Sequence, residues 1–269
     1  MDQKEEVKET PKQERNVEQD RLIFVEAIKN TEIAEIDTEF DEKSMEALVS
    51  ELSRAKLFLL GEIHGVKENP DILYTIFKKF GFKQLALEWD KKLQAQIAKF
   101  LETGELDFET IKESRDGRIT AGHFALFKKL RDEGLLGALV CFDDDALLLS
   151  PESWDARDAN MAEKIVANLT DGATLVVAGD AHTGVAPINF RDGKGEHHPM
   201  GERVKEQIPE VPSGRIKILT GRIYNNKIRE VGGKPEEGKI SKARFYKSPE
   251  GIYLFELPKA HPAVVPNPN

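Results

Sequence analysis

The sequence predicts an α/β protein: a mostly parallel central sheet flanked by helices, with a C-terminal antiparallel hairpin. Three observations predict it. Short apolar runs, "KLFLL", "KQLALEW", "GALVCFD", "TLVVAG" and "RIKILTG", alternate with amphipathic stretches, which is the pattern of βα units. The first of them, "KLFLL", is an apolar run that should be buried as a core strand. Near the end, "RFYKSPEGIYLFEL" holds two strand-like runs separated by Ser248 to Gly251, the composition of a hairpin turn, and this hairpin is expected at an edge of the same sheet.

Each element follows from its punctuation. Residues 1–20 mix both charge signs with almost no large apolar side chains, so they are expected to form a disordered tail ahead of one domain over 21–258. After "KLFLL", Asn69 is the expected N-cap of a helix "DILYTIFKKF", with Pro70 in its first turn and Gly81 closing it in the left-handed region. Asp90 caps "KKLQAQIAKFL", which ends near Gly104, and "TAGHFALFKKLRDE" runs to Gly134. A further helix is expected from Ser150 and Pro151 to Leu169. Residues 185–213 read as a long loop with one short helix near "MGERVKEQI". Residues 259–269 are proline-rich and are expected to be an extended or frayed tail.

Composition excludes several functions. The 269 residues are 39% hydrophobic, enough for a sizeable core, and carry a net charge of −9. That balance argues against nucleic acid as a partner, because backbone binding needs a clustered basic surface. No apolar run reaches the roughly 20 residues of a membrane span, and the N-terminus lacks a signal-peptide core, so a cytoplasmic location without membrane partners is expected. The lone Cys141, in "GALVCFD", rules out an internal disulfide and fits a small buried hydrophobe.

The chemistry collects at strand ends. Parallel strands share a direction, so their carboxyl ends form one rim, where α/β sheets place ligands. The first run ends in "GEIH" (Gly61 to His64), the second carries Glu88, the third ends in Asp143, Asp144 and Asp145, and the fourth in "GDAH" (Gly179 to His182). Taken singly, each Glu or His has a structural reading, as a loop charge or a hydrogen-bonded rim imidazole. Together, two G-x-x-H segments at two strand ends point to a shared site of Glu62, His64, Glu88 and His182, with Asp180 beside them. On a helical period Arg157 lies with Met161 and Ile165, and Asp158 beside Ala162 and Ile165. A charge bordering that apolar stripe needs a partner, and Glu62, Glu88 or the 143–145 acids could supply it; a surface Arg157 is the competing reading. His123, among helical apolar residues, reads as a satisfied core histidine or a support to the site. His197 and His198 sit in the Gly-rich "RDGKGEHHPMG" and read as metal ligands, lid residues or solvated loop histidines.

These motifs resemble a known superfamily. "LLGEIHGVKENPDILYTIFKKFGFKQLALEWD", followed in order by "RDANMAEKI", "GDAHTG" and "HHPMGERV", is similar to the erythromycin esterase-like proteins, whose arrangement is shared with ChaN-type haem-binding proteins and Tiki metalloproteases. The resemblance implies a hydrolase acting on an ester, lactone or amide of a small-molecule or peptide substrate. His64, oriented by Glu62 or Glu88, would activate water, and His182 and Arg157 would stabilise the oxyanion. Asp158, His123 and Asp180 would support them. In a metal version Glu62, His64 and His182 would hold a divalent ion, zinc or manganese, with Glu88 as base. The alternative is a carrier in which His182, His197 or Tyr224 offers an axial ligand to haem.

Overall fold

A computed structural model describes residues 16–144, 152–189, 196–233 and 241–268. Its helices are α1 (Val17–Asn30), α2 (Glu42–Ala55), α3 (Asn69–Phe80), α4 (Gln94–Thr103), α5 (Ala121–Asp132), α6 (Glu152–Ala167), the single turn α7 (Asp180–Thr183) and α8 (Met200–Gln207). The first strands are β1 (Thr38–Phe40), β2 (Leu57–Glu62), β3 (Gln84–Asp90), β4 (Ala138–Asp143), β5 (Thr174–Gly179), β6 (Ile188–Asn189) and β7 (Glu196–His197). They are followed by β8 (Ser213–Ile218), β9 (Thr220–Tyr224), β10 (Ile228–Gly232), β11 (Ala243–Lys247) and β12 (Tyr253–Leu257).

An eight-stranded sheet runs in the order β1-β11-β12-β8-β2-β5-β3-β4, and every pair in it is parallel except β11 with β12. All five apolar runs of the sequence are strands of this sheet. Period-2 alternation divides each strand between two cores. Phe58, Leu60, Leu85, Leu87 and Val177 face one side with α3 and α5, while Leu57, Leu59, Ala86, Val176 and Ala178 face the other with Met161 and Ile165 of α6 and Val204 of α8. Fully burying one such side chain contributes roughly 1.5–3 kcal/mol.

Two features differ from the sequence reading, and a third lies partly outside the described residues. The hairpin of β11 and β12, turned at Ser248–Gly251 with Gly251 at φ +83°, does not lie at the edge: β1 covers β11, and β12 pairs with β8. A three-residue strand such as β1 has too little pattern to be read. The cap of α3 falls at Glu68, because the Asn69 amide is engaged elsewhere, donating to Glu62 and to the Ile63 carbonyl. Among the described residues the helix expected from Ser150 begins at Glu152; Ser150, Pro151 and Asp145 lie outside the described residues. The caps at Gly81, Gly104 and Asp90 are as expected, with Asp90 accepting from the Lys92 amide.

Two details hold the rim in place. Gln94 closes the free side of β4: its amide donates to the Leu139 carbonyl at 2.7 Å and accepts from the Cys141 amide at 2.8 Å, imitating a neighbouring strand. Cys141 itself is buried, and that burial pushes its thiol up to about 12, the state of an inert packing residue. The C-terminal stretch is extended and anchored rather than frayed. The amides of Lys67, Ala121 and Ala263 donate to the carbonyls of His261, Val264 and Gly65, and Asn267 donates to Ser114. This strap ties the loop after β2 to the loop before α5. Where those loops touch, Gly65 (φ +76°) and Gly117 (φ +86°) pack on the Tyr224 carbonyl, so closely that a Cβ at Gly65 would lie 1.6 Å from it. No helix among the described residues is long and apolar enough to cross a membrane.

Candidate active site

The carboxyl ends of β2, β3, β4 and β5 deliver Glu62, Glu88, Asp143 and Gly179 to one rim, as parallel pairing requires. Between Leu87 and Asp90 the pairing of β3 with β4 slips, a bulge at Glu88 and Trp89 of the kind that re-aims a side chain. Gly61 brings β2 close to the turn after β5: a Cβ there would lie 2.5 Å from Thr183 Oγ1.

Glu88 is the hub. Its Oε2 accepts from the Gly179 amide at 2.6 Å and its Oε1 from Arg157 Nη2 at 2.6 Å. His64 Nε2 lies 3.6 Å from Oε2, and His182 Nε2 lies 3.6 Å from Oε1. The convergence expected from two G-x-x-H segments is therefore present. A Cβ built on Gly179 would stand 3.1 Å from His64 Nε2, 3.4 Å from Glu88 Oε2 and 3.6 Å from His182 Cδ2, so the three surround one point.

Each imidazole is oriented from behind by its own carboxylate. Glu62 Oε1 faces His64 Nδ1 at 2.9 Å, and its other oxygen accepts from Asn69. Asp158 Oδ1 faces His182 Nδ1 at 2.6 Å, and its other oxygen lies 2.7 Å from His197 Nε2. With these carboxylates as acceptors, each ring carries its Nδ1 proton and turns Nε2 toward Glu88.

Arg157 is 4% exposed, so the surface reading fails: it is a buried brace. Nε and Nη2 donate to both oxygens of the fully buried Asp143, Nη2 also reaches Glu88, and Nη1 lies 3.2 Å from His182 Nε2. Asp144 lies outside this cluster and pairs with Lys91.

The charges explain one another. Burial opposes ionisation of Glu88, but His182, His64, Arg118 and Arg157 together hold its carboxyl far below the usual range. Burial also opposes charge on both site histidines. The hydrogen bond to Glu62 and the Glu88, Glu62 and Asp116 carboxylates nevertheless raise His64, and Asp158 and Glu88 raise His182 against the Arg157 charge. Arg157 is raised further above its ordinary value, since Asp143 and Glu88 outweigh its burial.

The remaining expected residues divide. His123 is a core histidine: Thr120 Oγ1 lies 2.9 Å from its Nδ1, Trp89 packs edge-on to its ring, and burial lowers its pKa. Asp180 is exposed, beside Gly61 and 3.6 Å from Arg215, and does not touch the imidazoles. His198 pairs with Glu202. Tyr224 is buried with its hydroxyl on the Asn267 carbonyl.

Arg118 and Asn69 join the site without having been singled out for it. Arg118 donates from Nη1 to Asp143 at 2.9 Å, lies 3.6 Å from Glu88 and is clamped by Asp116. It comes from the loop "RDGRIT", which has no periodicity to betray it; Asn69 was masked by its ordinary reading as a cap. Arg118, Asp116 and Glu88 also line a cleft of about 580 Å³ whose walls include Trp89, Leu93 and Ile119, so the cleft reaches the cluster at Glu88 and Arg118.

The donor set is a poor fit to a dication held by Glu62, His64 and His182. Both oxygens of Glu62 are engaged by His64 and Asn69, and the Arg157 guanidinium stands against His182 Nε2. Among the described residues no three His, Cys, Asp or Glu side chains gather so as to hold a metal ion. Of the expected haem ligands, His182 has Arg157 Nη1 3.2 Å from its Nε2, His197 has a carboxylate oxygen within 2.9 Å of each ring nitrogen, and the Tyr224 hydroxyl donates to the Asn267 carbonyl.

Compared by sequence, the chain matches no family model and no curated protein. Compared by structure, it is similar to a succinoglycan biosynthesis protein (TM-score 0.59, 11% identity, 81% of this chain and 91% of that one). It is similar to an erythromycin esterase solved as a histidine-to-asparagine mutant in its open conformation (TM-score 0.57, 12% identity, 83% and 95%). A protein from Bacillus cereus gives a TM-score of 0.59 at 9% identity over 94% and 100% of the two chains. At such identities the likeness establishes a shared fold.

Proposed function

We propose that the rim is a hydrolytic centre for an ester, lactone or amide, worked by a histidine-activated water. The observation that carries this reading is the single point near Gly179 around which His64, Glu88 and His182 close, beside a cleft open to solvent. His64 Nε2, oriented by Glu62, takes a proton from water; the resulting hydroxide adds to the carbonyl carbon. The oxyanion so formed is stabilised by the Arg118 guanidinium, which lines the cleft, while His182, whose Nε2 faces the Arg157 guanidinium, stands beside the same point. Collapse breaks the bond to the leaving group, and His64 returns its proton to it. Arg157 holds Glu88, Asp143 and His182 in register, a bracing role in place of direct contact with the oxyanion. The fold shared with an erythromycin esterase supports hydrolysis as the reaction class, while the substrate rests on this site alone.

The test is turnover of an aryl ester, a lactone and a peptide amide panel, with and without a chelator, by the wild type and by His64→Ala. Chelator-resistant turnover that falls about 100-fold or more in the variant is expected. Equal turnover in the variant overturns the reading. Chelator-sensitive turnover restores the metal version, and a stoichiometric haemin complex without turnover restores the carrier.

A further inference from the structure

Arg118, which the proposed reaction sets against the oxyanion, is held at both ends of its side chain. Asp116, two residues earlier, accepts from the Arg118 backbone amide at 3.0 Å with Oδ1 and from Arg118 Nε at 2.6 Å with Oδ2. One carboxylate thus closes a ring from the main chain to the guanidinium. At the far end Nη1 donates to Asp143 Oδ2 at 2.9 Å and lies 3.6 Å from Glu88 Oε1. The main chain around the pair is fixed as well. The Trp89 indole donates to the Arg118 carbonyl at 3.2 Å, the Asn226 amide to the Arg115 carbonyl at 2.7 Å, and the Gly65 amide to the Gly117 carbonyl at 2.9 Å. Asp116 and Arg118 both line the cleft, and their side chains are 34% and 17% exposed.

We infer that Asp116 is a positioning residue for the reaction: it clamps Arg118 so that the guanidinium meets the oxyanion already aimed. The role rests on the reading of Arg118 as the group that faces that charge. Two physical arguments carry it. Asp143 Oδ2 also accepts from Arg157 Nη2, so a second guanidinium crowds the same oxygen, and the like charges push Arg118 away from the cluster. The Asp116 carboxylate on Nε opposes that push. An arginine also has several rotatable bonds, and a donor ordered before the reaction stabilises the transition state more than one that must be ordered during it. A partly exposed ion pair contributes little to folding, so the clamp acts on the geometry of the site more than on stability.

The experiment compares the wild type with Asp116→Asn, whose one carbonyl oxygen can still hold the Arg118 backbone amide but whose NH2 offers Nε no acceptor. Arginine ¹H–¹⁵N spectra report the Arg118 Nε hydrogen directly, assigned by its absence in Arg118→Lys. Slow exchange of that hydrogen is expected in the wild type and fast exchange in Asp116→Asn. Equal protection in folded Asp116→Asn overturns the inference. Should that variant fail to fold, the wild-type spectrum still decides: exchange as fast as that of exposed arginines refutes the clamp, and a protected hydrogen sustains it. On any ester or lactone turned over by the wild type, kcat is compared on the alkaline plateau, because Asp116 also helps to raise His64. There kcat falls about tenfold in Asp116→Asn with KM unchanged. In an Arg118→Ala background the same substitution has no further effect on the residual turnover, since the group it acts through is gone. An equal fall in both backgrounds shows that Asp116 works by another route and sinks the proposal. Absence of turnover on the whole panel refutes the hydrolase reading, and the exchange of the Arg118 hydrogen then decides on the clamp alone.

Discussion

The two imidazoles that meet at Glu88 arrive by different routes. His64 and its carboxylate are two residues apart on the same strand end, so one local turn sets their geometry, and a neutral amide, Asn69, steadies Glu62. His182 and Asp158 come from the turn after β5 and from the first turns of α6, and their contact depends on that helix packing against the sheet. The first arm is written in the chain; the second is assembled by tertiary structure. Such an asymmetry teaches where each arm is vulnerable: the first to changes in a single loop, the second to anything that moves α6.

The largest expected effect strikes both arms at once. Glu88→Ala leaves Arg157 buried without one of its two carboxylate partners and removes the anion between the imidazoles, so it should cost about 3–5 kcal/mol in urea unfolding. A midpoint close to wild type would break the picture of a shared hub. The sign with pH follows. Glu88 is depressed in the folded state, so its contribution is present above the unfolded value near 4.5 and is lost as pH falls through the folded one. Acid unfolding of the wild type, followed by circular dichroism, should therefore be steeper than that of Glu88→Gln.

Gly179→Ala comes next. Its methyl would occupy the space between the imidazoles, 3.1 Å from His64 Nε2, so turnover should drop about 100-fold while stability falls by only about 1–3 kcal/mol. Comparing steady-state kinetics with thermal melting separates the two.

Amide isosteres sharpen the comparison between the arms. Glu62→Gln removes the hydrogen-bonded carboxylate that raises His64, and Asp158→Asn removes the one that raises His182, so each titration should move down for its own histidine and not for the other. Proton NMR titration of the imidazole Cε1 hydrogens checks this, and a crossed effect would show that the arms are not independent. The smallest effect is on the wild type alone. If His64 works as a base and its pKa is raised, kcat/KM should fall on the acid side through a value above 6.5.

How much of this was legible follows the same division. All five apolar runs are strands of the sheet, and β2 and β3, buried along their whole length, leave the strongest one-dimensional trace. Glu62, His64, Glu88 and His182 could be gathered from the direction of parallel strands alone. Arg157 was recognisable as a charge in need of a partner, but its choice of Asp143 and Glu88 depends on the bulge in β3, which no periodicity encodes. Asp180 was drawn in by sitting beside His182 in sequence, yet neighbours on a turn point in opposite directions. Arg118 comes from a loop and His197 from the two-residue strand β7, pieces too short for any period and shaped by what they touch.

The contact of Gly65 and Gly117 with the Tyr224 carbonyl has a consequence for anyone mapping this rim by saturation mutagenesis. Neither glycine has a proton to give or a charge to lend, yet the space at 65 admits one amino acid in the genetic code, and 117 is nearly as strict. A tolerance map would paint both in the same colour as His64, and only abundance measured alongside function would tell a keystone from a reagent.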